Sequence, residues 1–165
     1  MINIIIPLEN EIPKNKIVFL AGPIQGAPDY HNDIISYFIK NASDKNFTIA
    51  SPKKDYKHND FNHQKQIDWE TKYLNAASKN GIIVFWLAKE VENVKGRAYA
   101  QTSRFEISEW LVKSSLDKNI EIFIGIEEGF SGDVYIKHRA TKDLNYKKPI
   151  YNDLNKMLYD IIKII

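Results

Sequence analysis

The sequence predicts a flavodoxin-like, doubly wound α/β sandwich of about five mostly parallel strands with helices on both faces. Three observations predict it. Ile17–Leu20 and Ile82–Leu87 are continuous apolar runs, as expected of parallel strands covered on both faces rather than of strands with one wet side. Segments with helical spacing alternate with such runs, and right-handed crossovers then place helices above and below one sheet. At 165 residues the chain is long enough for one well-buried domain, read as residues 1–165.

Taken in order, Ile2 to Ile6 is a β-branched run stopped by Pro7. Residues 1–15 therefore read as an edge strand or extended arm that ends in a polar connector from Glu9 to Asn15. The strand Ile17–Leu20 ends in Ala21-Gly22-Pro23-Ile24-Gln25-Gly26, where glycines let backbone approach a ligand and proline fixes the turn. A helix over about Asp29 to Lys40 puts Ile34, Ile35, Phe38 and Ile39 on one side. Phe47–Ala50 is a second strand closed by Ser51-Pro52. The next stretch, Lys53 to His63, holds Tyr56, His58, Asn59 and Phe61 without periodicity, and reads as a loop long enough to cover a site.

From Gln64 to about Asn80 the spacing is helical, with Ile67, Leu74 and Ala77 on one stripe and Glu70 among them. A carboxylate on an apolar face is costly unless it is paired or lines a cavity. Gly81 and the most apolar strand, Ile82–Leu87, follow. Lys89 to Ala100 reads as a loop, and a helix carrying Glu106 runs to about Lys118 with Ile107, Trp110, Leu111 and Leu116 apolar. Ile120–Gly125 is a strand, and an irregular stretch with Gly129, Gly132, Tyr135 and His138 leads to a short strand near Pro149–Tyr151. Asn152 or Asp153 caps a last helix packed through Leu154, Met157, Leu158, Ile161 and Ile162.

Composition narrows the function. Hydrophobic residues make up 44% and charged residues 27% of the chain, and the formal net charge is +2. That balance gives no reason to expect a nucleic-acid polymer or a membrane as partner. With no cysteine, disulfides, thiolate metal sites and cysteine catalysis are excluded. The apolar start is too short for a signal peptide or a span, so the expected location is the cytoplasm. His31, His58, His63 and His138 lack ligand spacing, so no metal and no cofactor are expected. Dinucleotide and phosphate-loop glycine motifs and the serine-hydrolase elbow are all missing.

In a sheet of this class ligands bind beyond the carboxyl ends of the strands. The Gly22-Pro23 turn, the Lys53 to His63 loop and the Thr102-Ser103-Arg104-Phe105-Glu106 turn should meet there, with Glu70 reaching the same rim. Two carboxylates on one rim suit glycosidic-bond chemistry, one attacking the anomeric carbon while the other manages a proton. Glu106 is expected in the first turn of its helix, where the dipole favours the ionised form a nucleophile needs. Ser103 and Glu106 also spell a capping box, Ser-x-x-Glu, which would serve only the helix's own amides. Trp69 and Trp86 suit the core, and Trp69 equally suits stacking on a planar base.

Phe19-Leu-Ala-Gly-Pro-Ile24, Gln66-Ile-Asp-Trp-Glu70, Val84-Phe-Trp86 and Thr102-Ser-Arg-Phe-Glu106, in this order and spacing, resemble the nucleoside 2-deoxyribosyltransferase-like family from about Lys16 onward. The resemblance implies a glutamate that attacks C1′ of a 2′-deoxynucleoside, with the sugar then passed to a free nucleobase or water. Carried over, Glu106 is that nucleophile and Glu70 manages the base proton, with Asp68 as the alternative. Gly22, Pro23, Ile24 and Gln25 would border the base, joined by Trp69, Thr102, Ser103 and Arg104 as substrate-binding residues. Arg104 can hold a phosphate, favouring a 5′-monophosphate, or pair with Glu70. The sequence departs from the family in lacking the first-strand tyrosine that orients the nucleophile; Val18 and Phe19 stand there instead. The resemblance also implies a homo-oligomer, a dimer or larger. Two other functions fit the same residues, a non-catalytic nucleotide-binding module and a hydrolase of a larger nucleotide such as NAD.

Overall fold

The computed structural model describes residues 1–7, 11–53 and 62–165. Six strands form one sheet, all parallel: β1 (Ile2–Ile5), β2 (Lys16–Ala21), β3 (Phe47–Ala50), β4 (Gly81–Leu87), β5 (Ile122–Ile126) and β6 (Ile150–Tyr151). Their order across the sheet is β1-β3-β2-β4-β5-β6. Without β1 the remaining five follow the flavodoxin-like order, so the expected fold is found, with the β-branched start as a sixth, edge strand.

The apolar runs are apolar because both faces are covered. On one face α1 (Tyr30–Asn41) and α5 (Leu154–Ile162) bury Ile34, Phe38, Met157, Leu158 and Ile161 against Val18, Ile49 and Val84. On the other, α2 (His63–Lys79) and α3 (Gln101–Leu116) bury Trp69, Tyr73, Leu74, Ile107 and Trp110 against Phe19, Ile83 and Ile124. Asp29, Asn62 and Asp153 cap α1, α2 and α5 by accepting from the amides of Asn32, Lys65 and Lys156. Gly125 is required where the Trp86 indole crosses β5, since a Cβ there would lie 2.2 Å from the ring. Trp86 is thus a core residue.

The chain leaves β2 for β3 on one side through α1 and returns to β4 on the other side through α2. The strand order therefore reverses between β2 and β4, which opens a crevice at their carboxyl ends.

Several expectations are corrected. The stretch read as irregular contains a short helix, α4 (Asp133–His138), continued by one π-helical turn, Arg139–Asp143, that buries Ala140. Ile39, Ile67 and Leu116 are exposed at 52%, 53% and 83%. The buried stripe of α2 is instead Gln66, Trp69, Tyr73, Leu74 and Ala77, one step around the helix from the stripe through Ile67. Of the loop expected to cover the site, Tyr56, His58, Asn59 and Phe61 lie outside the described residues, as does the start of the Glu9 connector; His63 is the first residue of α2.

Candidate active site

The crevice between β2 and β4 is a cavity of about 210 Å³. Its first wall is the turn after β2, Gly22, Pro23, Ile24 and Gln25, above Phe19 and Ala21. Gly22 has φ +141°, and a Cβ on it would sit 2.2 Å from the Trp86 carbonyl oxygen. Only glycine lets the turn lie against β4 here. The opposite wall is the segment after β4, with Glu90, Val94, Arg97, Ala98 and Tyr99. The amides of Val91 and Glu92 donate to the Gly26 carbonyl at 2.8 and 3.2 Å, and Arg97 donates to Gln25 Oε1. These contacts join the two walls.

Two helices bring carboxylates to this cavity. From α2 come His63, Gln66, Ile67 and Glu70; from α3 come Gln101, Thr102, Ser103 and Glu106. Gln66 Nε2 donates to Glu70 Oε1 at 2.7 Å and to the Pro52 carbonyl at 3.0 Å. Burial raises the Glu70 pKa while the Gln66 bond opposes the rise. Glu106 has no hydrogen-bond partner among the described residues. Burial first, then the charges of Glu70 and Glu109, push it up to about 8. Burial and its acidic neighbours thus favour the protonated form of Glu106, against the ionised state expected from a first-turn position.

The start of α3 also withdraws the dipole support expected for the ionised form. Its N-cap is Ala100, in the left-handed region at φ 57°, and no side chain caps the helix. Ser103 is the third helical residue and is buried, so Ser103 and Glu106 do not form a capping box. Glu106 is one turn further in than expected, where the dipole's effect has faded. A non-glycine residue in this conformation costs about 1–2 kcal/mol, and Ala100 carries that strain on the cavity wall.

The structure also separates residues that the sequence grouped. Glu70, Glu106, Gly22, Pro23, Ile24, Gln25, Thr102 and Ser103 share the cavity; Asp68, Trp69 and Arg104 do not line it. Asp68 points to solvent and accepts from Gln64 at 2.9 Å. Trp69 is 5% exposed and packs on Tyr73 and Phe19, with ring centroids 4.6 and 6.1 Å away. Arg104 donates to the carbonyl and hydroxyl of Ser131, both at 2.8 Å, and lies 4.6 Å over the Phe130 ring. It does not pair with Glu70. The cavity gains residues that sequence reasoning gave no role, namely Gln66, Arg97 and Tyr99, whose hydroxyl donates to the Ala88 carbonyl at 2.7 Å. The rule that ligands sit beyond the strand ends points to the segment after central strand β4, and so to Arg97 and Tyr99. Among the described residues no group of three acidic or histidine side chains is placed to hold a metal ion. No helix among them is long and apolar enough to cross a membrane.

A carboxylate pair beside the strand-order switch of a doubly wound sheet marks an α/β protein with its candidate ligand site at the strand ends. Residues 15–122 match the family described as nucleoside 2-deoxyribosyltransferase like, and the chain belongs to it. The match runs from the start of β2 to the first residue of β5 and includes both carboxylates. Membership supports a related function in glycosyl transfer on nucleosides and points to an enzyme that binds a nucleoside. No curated protein matches the chain.

Proposed function

We propose that the protein cleaves the N-glycosidic bond of 2′-deoxynucleosides or their 5′-monophosphates through a glycosyl ester on Glu106, then transfers the sugar to another base or to water. The observation that carries this reading is the placement of Glu70 and Glu106 on one cavity, one carboxylate hydrogen-bonded and the other not. Glu106 Oε attacks C1′, the C1′–N bond breaks, and its electron pair leaves on the base nitrogen. Glu70 supplies the proton that makes the base a better leaving group. In the second step a new base or water attacks C1′ and Glu106 departs as carboxylate, while Glu70 accepts the incoming nucleophile's proton.

The pair needs one proton, on Glu70. Burial alone favours that proton on Glu106. A bound deoxynucleoside favours the opposite arrangement, because a base nitrogen near Glu70 accepts a hydrogen bond and positive charge develops at C1′ beside Glu106. Arg97 is the guanidinium on the cavity wall and takes over the phosphate-holding role considered for Arg104. The outer face of α3 exposes Phe105, Val112 and Leu116 at 75%, 45% and 83%, which supports a homo-oligomer joined near the site.

The protonated state of Glu106 favours a second reading, a nucleotide-binding module without turnover. One experiment separates the two. Deoxynucleosides and their 5′-monophosphates are incubated with the protein, with and without free base, and base release or exchange is followed by chromatography. Turnover that disappears in Glu106→Ala is expected. Binding without turnover in both proteins would leave the binding module standing. Release without added base marks a hydrolase, and exchange only with it marks a transferase.

A further inference from the structure

Gln66 lines the cavity and carries an unmet, buried hydrogen-bond acceptor. The residue is 9% exposed and lines the same cavity as Glu70, one turn further along α2. Both of its N–H bonds are used, on the Pro52 carbonyl and on Glu70. Its Oε1 is buried with no partner among the described residues. The amide cannot simply be turned around, because both neighbours of its NH2 group are acceptors and would then face an oxygen. A buried amide oxygen left unpaired is costly, which makes a ligand donor at that point favourable.

We propose that Gln66 Oε1 reads an amino group on the base, making the site selective for an adenine-type base over a 6-oxopurine. This rests on the glycosyl-transfer reading, in which protonated Glu70 donates to a base nitrogen. Glu70 then offers a donor and Gln66 an acceptor side by side. Adenine presents the complement, N7 as acceptor beside the N6 amino donor, whereas N7 and O6 of guanine are both acceptors. Protonating N7 is also what releases a purine from C1′, so the residue that selects the base adjoins the residue that expels it. With a 6-oxo base, Oε1 would face another oxygen and stay unpaired. Phe19, Ile24 and Ile67 on the same cavity supply apolar surface for the ring.

The test compares 2′-deoxyadenosine, purine 2′-deoxyriboside (hydrogen at C6) and 2′-deoxyinosine (oxygen at C6), in wild type and Gln66→Met. Wild type is expected to favour deoxyadenosine over deoxyinosine by about 10- to 100-fold in kcat/KM, with the purine riboside between. In Gln66→Met, shown to be folded by its thermal melt, all three should slow as Glu70 loses its donor, and the deoxyadenosine-to-deoxyinosine ratio should fall to within a few-fold of one. A merely structural role for Gln66 would slow all three by the same factor, keep the wild-type ratio and overturn the assignment. Equal use of deoxyadenosine and deoxyinosine by wild type, with turnover lost in Glu106→Ala, would overturn it too while leaving the glycosyl reading intact. Calorimetry with free adenine and free hypoxanthine covers the remaining case. An adenine preference lost in Gln66→Met upholds the assignment even without turnover, and equal binding, or none, overturns it.

Discussion

Glu70 and Glu106 reach one cavity from two helices that treat them differently. On α2, Gln66 sits one turn before Glu70 and donates to it at 2.7 Å. On α3, the residue one turn before Glu106 is Thr102, and no hydrogen bond links them. Both carboxylates are pushed up by burial, yet only one has a donor to offset it. The partnered acid keeps its charge more readily and the unpartnered one takes the proton. In the proposed reaction Glu106 would be a nucleophile masked by its proton until a ligand favours that proton on Glu70.

Changing either acid breaks the comparison, and the largest effect is expected at Glu106. Glu106→Gln should lower kcat/KM for base release by about 10⁴-fold or more, as removal of a covalent nucleophile does. Glu70→Gln should cost about 10²- to 10⁴-fold, the usual worth of a general acid. Its loss should shrink on a deoxyriboside whose leaving group needs no proton. Equal losses on good and poor leaving groups would remove Glu70 from proton transfer.

The pH profile sharpens the difference. Wild-type kcat/KM should be bell-shaped, falling on the acid side as both carboxylates become protonated. On the alkaline side it falls above about pH 8, as the pair loses its one proton. In Glu70→Gln no shared proton is needed, so activity should rise with pH and level off, without the alkaline fall. A bell kept in that variant would assign the proton to another group.

A smaller effect is expected on stability. Glu106 binds its proton more tightly folded than unfolded, so the folded state loses stability as pH rises from about 4.5 to about 8. Glu106→Gln escapes that loss. The variant should therefore be the more stable protein at pH 8 by on the order of 2 kcal/mol, with the gain vanishing near pH 4.5. Urea melts at the two pH values measure it. The smallest effect belongs to Arg104→Ala, expected to change turnover by no more than a few-fold and stability by about 1 kcal/mol or less, since its partners are a surface serine and an aromatic face.

Much of this was legible in the chain because strands and glycines leave strong marks. Phe47–Ala50 is a strand within the bounds its apolar run suggests, and Gly22-Pro23 marks a wall of the cavity. Helix rotation was harder to read. Asp68 and Glu70, like Arg104 and Glu106, are two residues apart and so lie about 200° around their helices. In each pair one residue faces the cavity and the other turns away. The start of α3 was misplaced because it begins on Ala100, whose left-handed backbone has no signature in its side chain. Gln66 stood in plain view in the motif Gln66-Ile-Asp-Trp-Glu70, but only the fold shows that its amide is oriented by Pro52, fourteen residues earlier.

That contact extends to the sheet's edge. The β1 carbonyl of Ile5 accepts from the Ser51 amide at 2.9 Å, and Ser51 Oγ meets His31 Nδ1 at 2.9 Å. Ser51 is followed by Pro52, whose carbonyl holds Gln66, which in turn holds Glu70. The edge strand is therefore a distant tether of the acid's environment, three hydrogen bonds removed. Changes among the first seven residues can retune Glu70, the proton donor of the proposed reaction, while leaving every cavity side chain in the sequence intact.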